Sequence, residues 1–186
     1  MTGERAALAA LLHSRSIRHG DFILASGQHS TYYVDARRTT MSAEGLDLIG
    51  RLGLRAIRAA GWAPAGIGGL TMGADPVAYA VALASLREGP VVQAFSVRKA
   101  AKEHGTRQRI EGNFTPGEAV VVAEDVITSG SSALQAVAAA REAGGTVLGV
   151  LAVVDRQQGG RAAIEAAGVG VTALFTAEEL GLGGVS

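Results

Sequence analysis

One run constrains the fold of this chain more than any other: VVVAEDVITSGSS, Val120 to Ser132. Its apolar opening, Val120 to Ala123, is the pattern of a strand buried on both faces, as in a parallel sheet. It ends in two adjacent acids, Glu124 and Asp125, and then breaks into a small, hydroxyl-rich loop before a helix. In open α/β sheets the carboxyl ends of the strands are where ligands bind. Thr128, Ser129, Gly130, Ser131 and Ser132 offer backbone N–H groups and hydroxyls at a helix N-terminus, which suits a phosphate. Acids beside a phosphate cradle are electrostatically wrong for phosphate alone. They make sense if the ligand also carries ribose hydroxyls, which carboxylates accept from, and a divalent cation that offsets the combined charge.

The rest of the chain repeats the pattern. Runs rich in Val and Ile alternate with Ala-rich helical patterns, the signature of βαβ units, so the expected class is α/β with a central parallel sheet flanked by helices. Strands are expected near Ala65 to Gly69, Val91 to Val97, Ala119 to Glu124, Val147 to Val154 and Val171 to Phe175. Helices are expected near Glu4 to His13, Ala43 to Ala60, Pro76 to Leu86, Ser131 to Ala143 and Gly160 to Ala167. Ser42 and Pro76 suit helix starts, and Gly61, Gly144 and Gly168 suit helix ends. Residues 14–41 break the alternation with FILASGQHSTYYVDARRTT, which reads as a hairpin able to form a lid or hood over the ligand edge of the sheet.

At 186 residues, with no visible linker or repeat, the expectation is one domain over 1–186 that buries its own core. Lysine plus arginine balance aspartate plus glutamate at 17 each, so no global field favours nucleic acid or an anionic membrane, and an anionic ligand must be held by local charge. There is no cysteine, hence no disulfide or thiolate nucleophile, which fits a reducing cytoplasm. The N-terminal MTGERAALAALLHSR is an amphipathic pattern with charges, unlike a signal peptide, and no stretch approaches the roughly 20 apolar residues of a membrane span.

Local charge is concentrated in SVRKAAKEHGTRQRIEGN, Ser96 to Asn113, where Arg98, Lys99, Lys102, His104, Arg107 and Arg109 meet only Glu103 and Glu111. Most charge clusters are solvated surface. This one directly follows a buried strand, and a basic, glycine-containing loop is what a polyanionic leaving group requires. GIGGLTMGADP, Gly66 to Pro76, is a second glycine-rich turn after a strand. A dinucleotide loop would need glycine where Thr71 stands, and a Walker loop would need Gly-Lys-Ser/Thr where Gly73, Ala74 and Asp75 stand. What remains is a short loop able to bring backbone amides onto a diphosphate. Tyr32 and Tyr33 are adjacent, so on a strand they face opposite ways and one could stack on a planar ring. Arg156, in VVDRQQGG, could grip a carboxylate or a ring carbonyl with its planar fork.

In this order, from about Phe22 to Gly160, the segments resemble the orotate phosphoribosyltransferases, members of the type I phosphoribosyltransferase family. FILASGQHSTYYVD resembles that family's N-terminal segment, RKAAKEHG its flexible catalytic loop, VVVAEDVITSGSS its phosphoribosyl-diphosphate (PRPP) signature and VVDRQQGG its acceptor segment. The resemblance implies the type I fold with a small N-terminal hood, and Mg²⁺-assisted transfer of phosphoribosyl from PRPP to orotate in pyrimidine (UMP) biosynthesis. It implies that Arg98, Lys99, Lys102 and His104 meet the diphosphate, with Lys102, His104 and Asp125 catalytic. Glu124, Asp125, Val126, Ile127, Thr128, Ser129, Gly130, Ser131 and Ser132 would hold the ribose and its 5′-phosphate. Thr128 and Arg156 would contact orotate, with Tyr32 and Tyr33 in the places of aromatic residues beside its ring. Mg²⁺ would be held mainly through PRPP, with Asp125 contacting it through water. A cytoplasmic homodimer sharing the 98–113 loop between subunits is implied as well. Two positions depart from the family: Ala25 and Met72 stand where many members carry lysines, and Arg37 or Arg38 offers replacement charge. A phosphoribosyltransferase for a purine base and a PRPP-sensing regulatory protein are the competing readings.

Overall fold

The computed structural model describes residues 3–23, 29–100 and 109–182. Six strands form the main sheet: β3 (Gly66–Leu70), β4 (Gln93–Val97), β5 (Ile110–Gly112), β6 (Ala119–Ile127), β7 (Thr146–Asp155) and β8 (Gly170–Thr176). Their spatial order is β5-β4-β3-β6-β7-β8; the β4–β5 pair is antiparallel and every other pair is parallel. The order reverses between β3 and β6. At such a switch point the two flanking connections leave in opposite directions and open a crevice at the strands' carboxyl ends.

Strand alternation divides the core. On β6 and β7, Val121, Ala123, Leu151 and Val153 pack on one face with Leu8, Leu12, Ile49, Leu54 and Val77. Val120, Val122, Val150 and Ala152 pack on the other with Ala136, Val137 and Ile164. The first face is thus covered by α1 (Gly3–Leu11), α3 (Ala43–Ala59) and α4 (Ala74–Glu88), the second by α5 (Ser131–Glu142) and α6 (Gly160–Ala166). Burial on both faces is why these strands read as continuous apolar runs. Ser42 caps α3, its side chain accepting from the Gly45 amide at 3.1 Å. Gly61, Gly144 and Gly168 follow helices with φ of +73°, +87° and +73°, a region open to glycine at little cost.

The irregular N-terminal segment forms a separate antiparallel pair, β1 (Ile17–Ile23) with β2 (His29–Val34), followed by the short helix α2 (Arg37–Thr40). A π-helical turn, Leu12–Ser16, leads into β1 where the periodicity suggested that the first helix simply ended. The stretch expected to be one basic loop is also different: Ile110–Gly112 pairs with Phe95–Val97, so the far end of the 98–113 segment is an edge strand. Three residues, of which only Ile110 is a large apolar side chain and Glu111 is charged, carry too little apolar signal to be read as a strand. No helix among the described residues is long and apolar enough to cross a membrane.

Candidate active site

A cavity of about 810 Å³ opens at the switch point. Five connections reach it: the turn after β3, Lys99 after β4, the acid pair and loop at the end of β6, the residue after β7, and the segment between β2 and α2. Each follows a strand, one of the main sheet in every case but the last, which follows the separate β1–β2 pair.

The end of β6 supplies a cradle. Thr128, Ser129 and Gly130 join β6 to α5 and, with Ser131 and Ser132, enclose a small recess of about 90 Å³ that Glu124, Val126 and Ile127 also line. Gly130 sits at φ +79° immediately before the helix, and an added Cβ would lie 2.7 Å from the Gly160 carbonyl oxygen. Any larger residue would push the loop off α6. The first amides of α5 are left without intrahelical acceptors, and the helix dipole favours an anion there.

Glu124 and Asp125 stand between the cradle and the larger cavity. Glu124 is buried, and burial first, then the neighbouring Asp125 charge, pushes its carboxyl well above the usual carboxylate range. Asp125 accepts from the Val126 amide at 2.9 Å. The turn after β3 backs directly onto it: a Cβ at Gly73 would meet the Asp125 Oδ1 at 2.7 Å. Asp75, two residues further on, lines the same cavity and accepts from the Ser96 hydroxyl at 2.7 Å, while burial holds its carboxyl above the ordinary value.

At the opposite wall Arg156 is 7% exposed, and among the described residues its Nε and Nη2 have no hydrogen-bond partner. The guanidinium lies 4.9 Å over the ring of Tyr32. Its backbone is held by the Arg156 amide donating to the Ile127 carbonyl at 2.9 Å, and by the turn beyond it. There the buried Asp155 accepts from the Gln157 amide and from Arg161 Nε, both at 2.9 Å. Arg161 and Asp155 were missed from sequence; the Asp–Arg spacing of six residues across a Gly-Gly turn carries no local pattern.

The two tyrosines separate as strand alternation requires. Tyr33 lines the cavity, 5.8 Å from the Phe22 ring. Tyr32 does not line it; it is buried in the core and serves as the shelf beneath Arg156. The basic segment is similarly divided. Lys99 lines the cavity, whereas Arg98 is paired with Glu111 at 3.5 Å and its backbone pairs with Arg109. Lys102 and His104 lie outside the described residues. Asp35 and Asp75 line the cavity without having been singled out as ligand contacts, and so does Arg37, one of the two arginines named as a source of replacement charge. Asp35 and Arg37 follow a β-strand that also carries Tyr33, and that adjacency is the signal that would have found them.

Comparison with known proteins converges on one family. The chain is 48% identical over 180 residues to the orotate phosphoribosyltransferase of Aquifex aeolicus, with 95% of this chain and 97% of that protein covered. Identity to the orotate phosphoribosyltransferase of Mycobacterium avium is 47% over 176 residues, covering 95% and 96%. The crystal structure of the Mycobacterium tuberculosis orotate phosphoribosyltransferase matches with a TM-score of 0.85 at 45% identity over 96% of this chain and 99% of that one. A structure of that enzyme in complex with PRPP matches with a TM-score of 0.81. An adenine phosphoribosyltransferase from Leishmania donovani, 17% identical with a TM-score of 0.64, shares the fold alone. No protein-family model matches the chain. Near-complete coverage at almost half identity, on a type I phosphoribosyltransferase fold, means that the chain belongs to the orotate phosphoribosyltransferase family.

Proposed function

We propose that this protein, as one phosphoribosyltransferase domain, transfers the phosphoribosyl group of PRPP to N1 of orotate, giving orotidine 5′-monophosphate and diphosphate in pyrimidine biosynthesis. The observation that carries the choice of acceptor is Arg156. A buried guanidinium with unpaired N–H groups is costly unless a planar anion completes it, and the orotate carboxylate has the matching fork. Thr128 lines the same cavity as Arg156, and Tyr33 offers a ring face. The 5′-phosphate fits the Thr128–Ser132 cradle, which puts the ribose hydroxyls on Glu124 and Asp125.

Departure of diphosphate leaves cationic character on the ribose ring, and Asp125 lies on the side where that charge grows. Lys99 takes part of the diphosphate charge, with Lys102 and His104 assigned the same task by family resemblance. Among the described residues no group of three or more His, Cys, Asp or Glu could hold a metal ion. One or two carboxylates suit a hard cation that arrives on substrate phosphates, so Mg²⁺ would be held through PRPP with Asp125 as its protein contact. When bound it offsets charge on the leaving oxygens. Protonation of Glu124 would limit the negative charge beside the phosphate.

A second copy of the chain is expected on the α3–α4 face, where Tyr79, Leu83 and Leu86 are exposed beside a groove of about 430 Å³. In such a dimer Lys102 and His104 act in the neighbour's site, in a cytoplasmic enzyme. Mixing Lys102→Ala with Asp125→Ala subunits should then restore roughly a quarter of wild-type activity, since half the dimers hold one intact site. Activity that stays at the level of the separate variants after verified exchange rules out sharing. The acceptor is tested by following absorbance with PRPP and Mg²⁺: orotate should turn over and uracil, lacking the carboxylate, should be a far poorer substrate. Comparable kcat/KM for the two would show that nothing in the site reads the carboxylate.

A further inference from the structure

We propose that Arg37 binds the diphosphate end of the donor, supplying the cation that the turn at Met72 lacks. The inference rests on the reading of the cavity as a PRPP site, and it decides between two arginines that the sequence left equivalent. Arg37 lines the cavity; Arg38, its neighbour on α2, does not. Arg37 Nε donates to Asp35 Oδ1 at 2.9 Å, which fixes the guanidinium at the cavity rim. Among the described residues Nη1 and Nη2 have no hydrogen-bond partner. Asp35 first, then Tyr33 and Asp125, lie close enough to act electrostatically on it, so this cation is on the Asp125 side of the cavity.

A plain surface ion pair does not account for the arrangement. The Arg37 and Asp35 side chains are 49% and 29% exposed, and a pair this wet contributes little to stability. The ligand geometry gives the pair a use. With its 5′-phosphate in the cradle and its ribose on Asp125, the donor must extend its diphosphate into the volume bounded by the turn Thr71–Gly73, Lys99 and Arg37. Arg37 does not line the cradle, which leaves the 5′-phosphate to the Thr128–Ser132 loop. The exposed side chain of the turn is Met72, which carries no charge and leaves that wall without a cation. Arg156 is committed to the opposite wall by its stacking on Tyr32. Arg37 can offer its two terminal NH2 groups while Asp35 holds Nε–H, a fork suited to phosphate oxygens.

The test uses calorimetry on the full chain with Mg²⁺, titrating PRPP, inorganic diphosphate and ribose 5-phosphate into wild type, Arg37→Ala and Arg37→Lys. Arg37→Ala should weaken PRPP and diphosphate about tenfold, the size of one charge-assisted contact at a partly exposed site. Ribose 5-phosphate, which lacks the diphosphate, should change by less than about twofold, and Arg37→Lys should stay nearer wild type because it keeps the charge. Equal loss for diphosphate and ribose 5-phosphate would mean that the substitution merely loosened the segment after β2, and no loss for either would mean that Arg37 is a spectator; each result overturns the proposal. These bindings do not involve the acceptor. If the wild-type protein failed to use orotate, the acceptor assignment would fall while the Arg37 comparison still gave its answer.

Discussion

The two ends of the cavity are built on different principles. The cradle end is contiguous in sequence: one strand, one turn and one helix carry Glu124 through Ser132. Its donors are mostly backbone amides at a helix N-terminus, which water satisfies equally well when no phosphate is bound. The acceptor end is assembled from distant parts, with Arg156 after β7 resting on Tyr32 of β2 and Thr128 arriving from β6. Its central donor is buried and, among the described residues, has two nitrogens without a partner. The first arrangement gives affinity for a common chemical group at little structural cost. The second withholds stability until a particular anion arrives, and that withheld energy is available for specificity.

The comparison breaks most readily at Arg156. Arg156→Met should lower kcat/KM for orotate by about a thousandfold, as removal of a buried charged contact does, with PRPP binding nearly unchanged. A drop shared equally by both substrates would erase the distinction between the ends. Asp125→Asn, at the centre of the cavity, keeps the shape but removes a charge from the developing cation, and kcat should fall on the order of a hundredfold with the fold intact. A near wild-type rate would return the acid pair to a structural role. Tyr32→Leu removes the shelf under the guanidinium without touching the cavity wall, so KM for orotate should rise about thirtyfold, the size of a desolvated cation–π contact, and KM for PRPP should hold.

The smallest effect concerns stability. Glu124 has its folded-state pKa raised by burial and by Asp125, so it favours the fold below the ordinary carboxylate range, and that contribution is lost as pH rises through the folded value. Glu124→Gln carries no such titration. Without ligand it should therefore melt about 2–4 °C above wild type at pH 8, the shift expected of roughly 1 kcal/mol in a chain this size, and show no such gain at pH 4. An equal gap at both pH values, measured by scanning calorimetry, would assign the effect to packing.

How much was legible follows the same division. The strand–acid–loop–helix run was readable because every piece is local: the apolar strand, the acids at its end, and the glycine that opens the helix stand in one window of sequence. The alternating strands and helices of the sheet were readable because burial on both faces leaves long apolar runs. Tyr32 and Tyr33 were half legible. Alternation separates their side chains, but which of the two meets the ligand depends on which face of β2 packs on the core. The edge strand Ile110–Gly112 was hidden by its charges, since pairing with β4 satisfies its backbone and demands little apolar surface.

The sequence by itself determined the α/β class, the place of the phosphate cradle and the acids beside it, because these depend on periodicity and on capping chemistry within a few residues. Only the tertiary structure decided that the sheet reverses order between β3 and β6, so that the turn at Gly73 backs onto Asp125. Only it decided that Tyr32 supports Arg156 from the core while Arg37, not Arg38, turns to the cavity. Those relations join residues far apart in the chain or pick one of two neighbours. They are set by strand order and packing, which no local pattern of residues encodes.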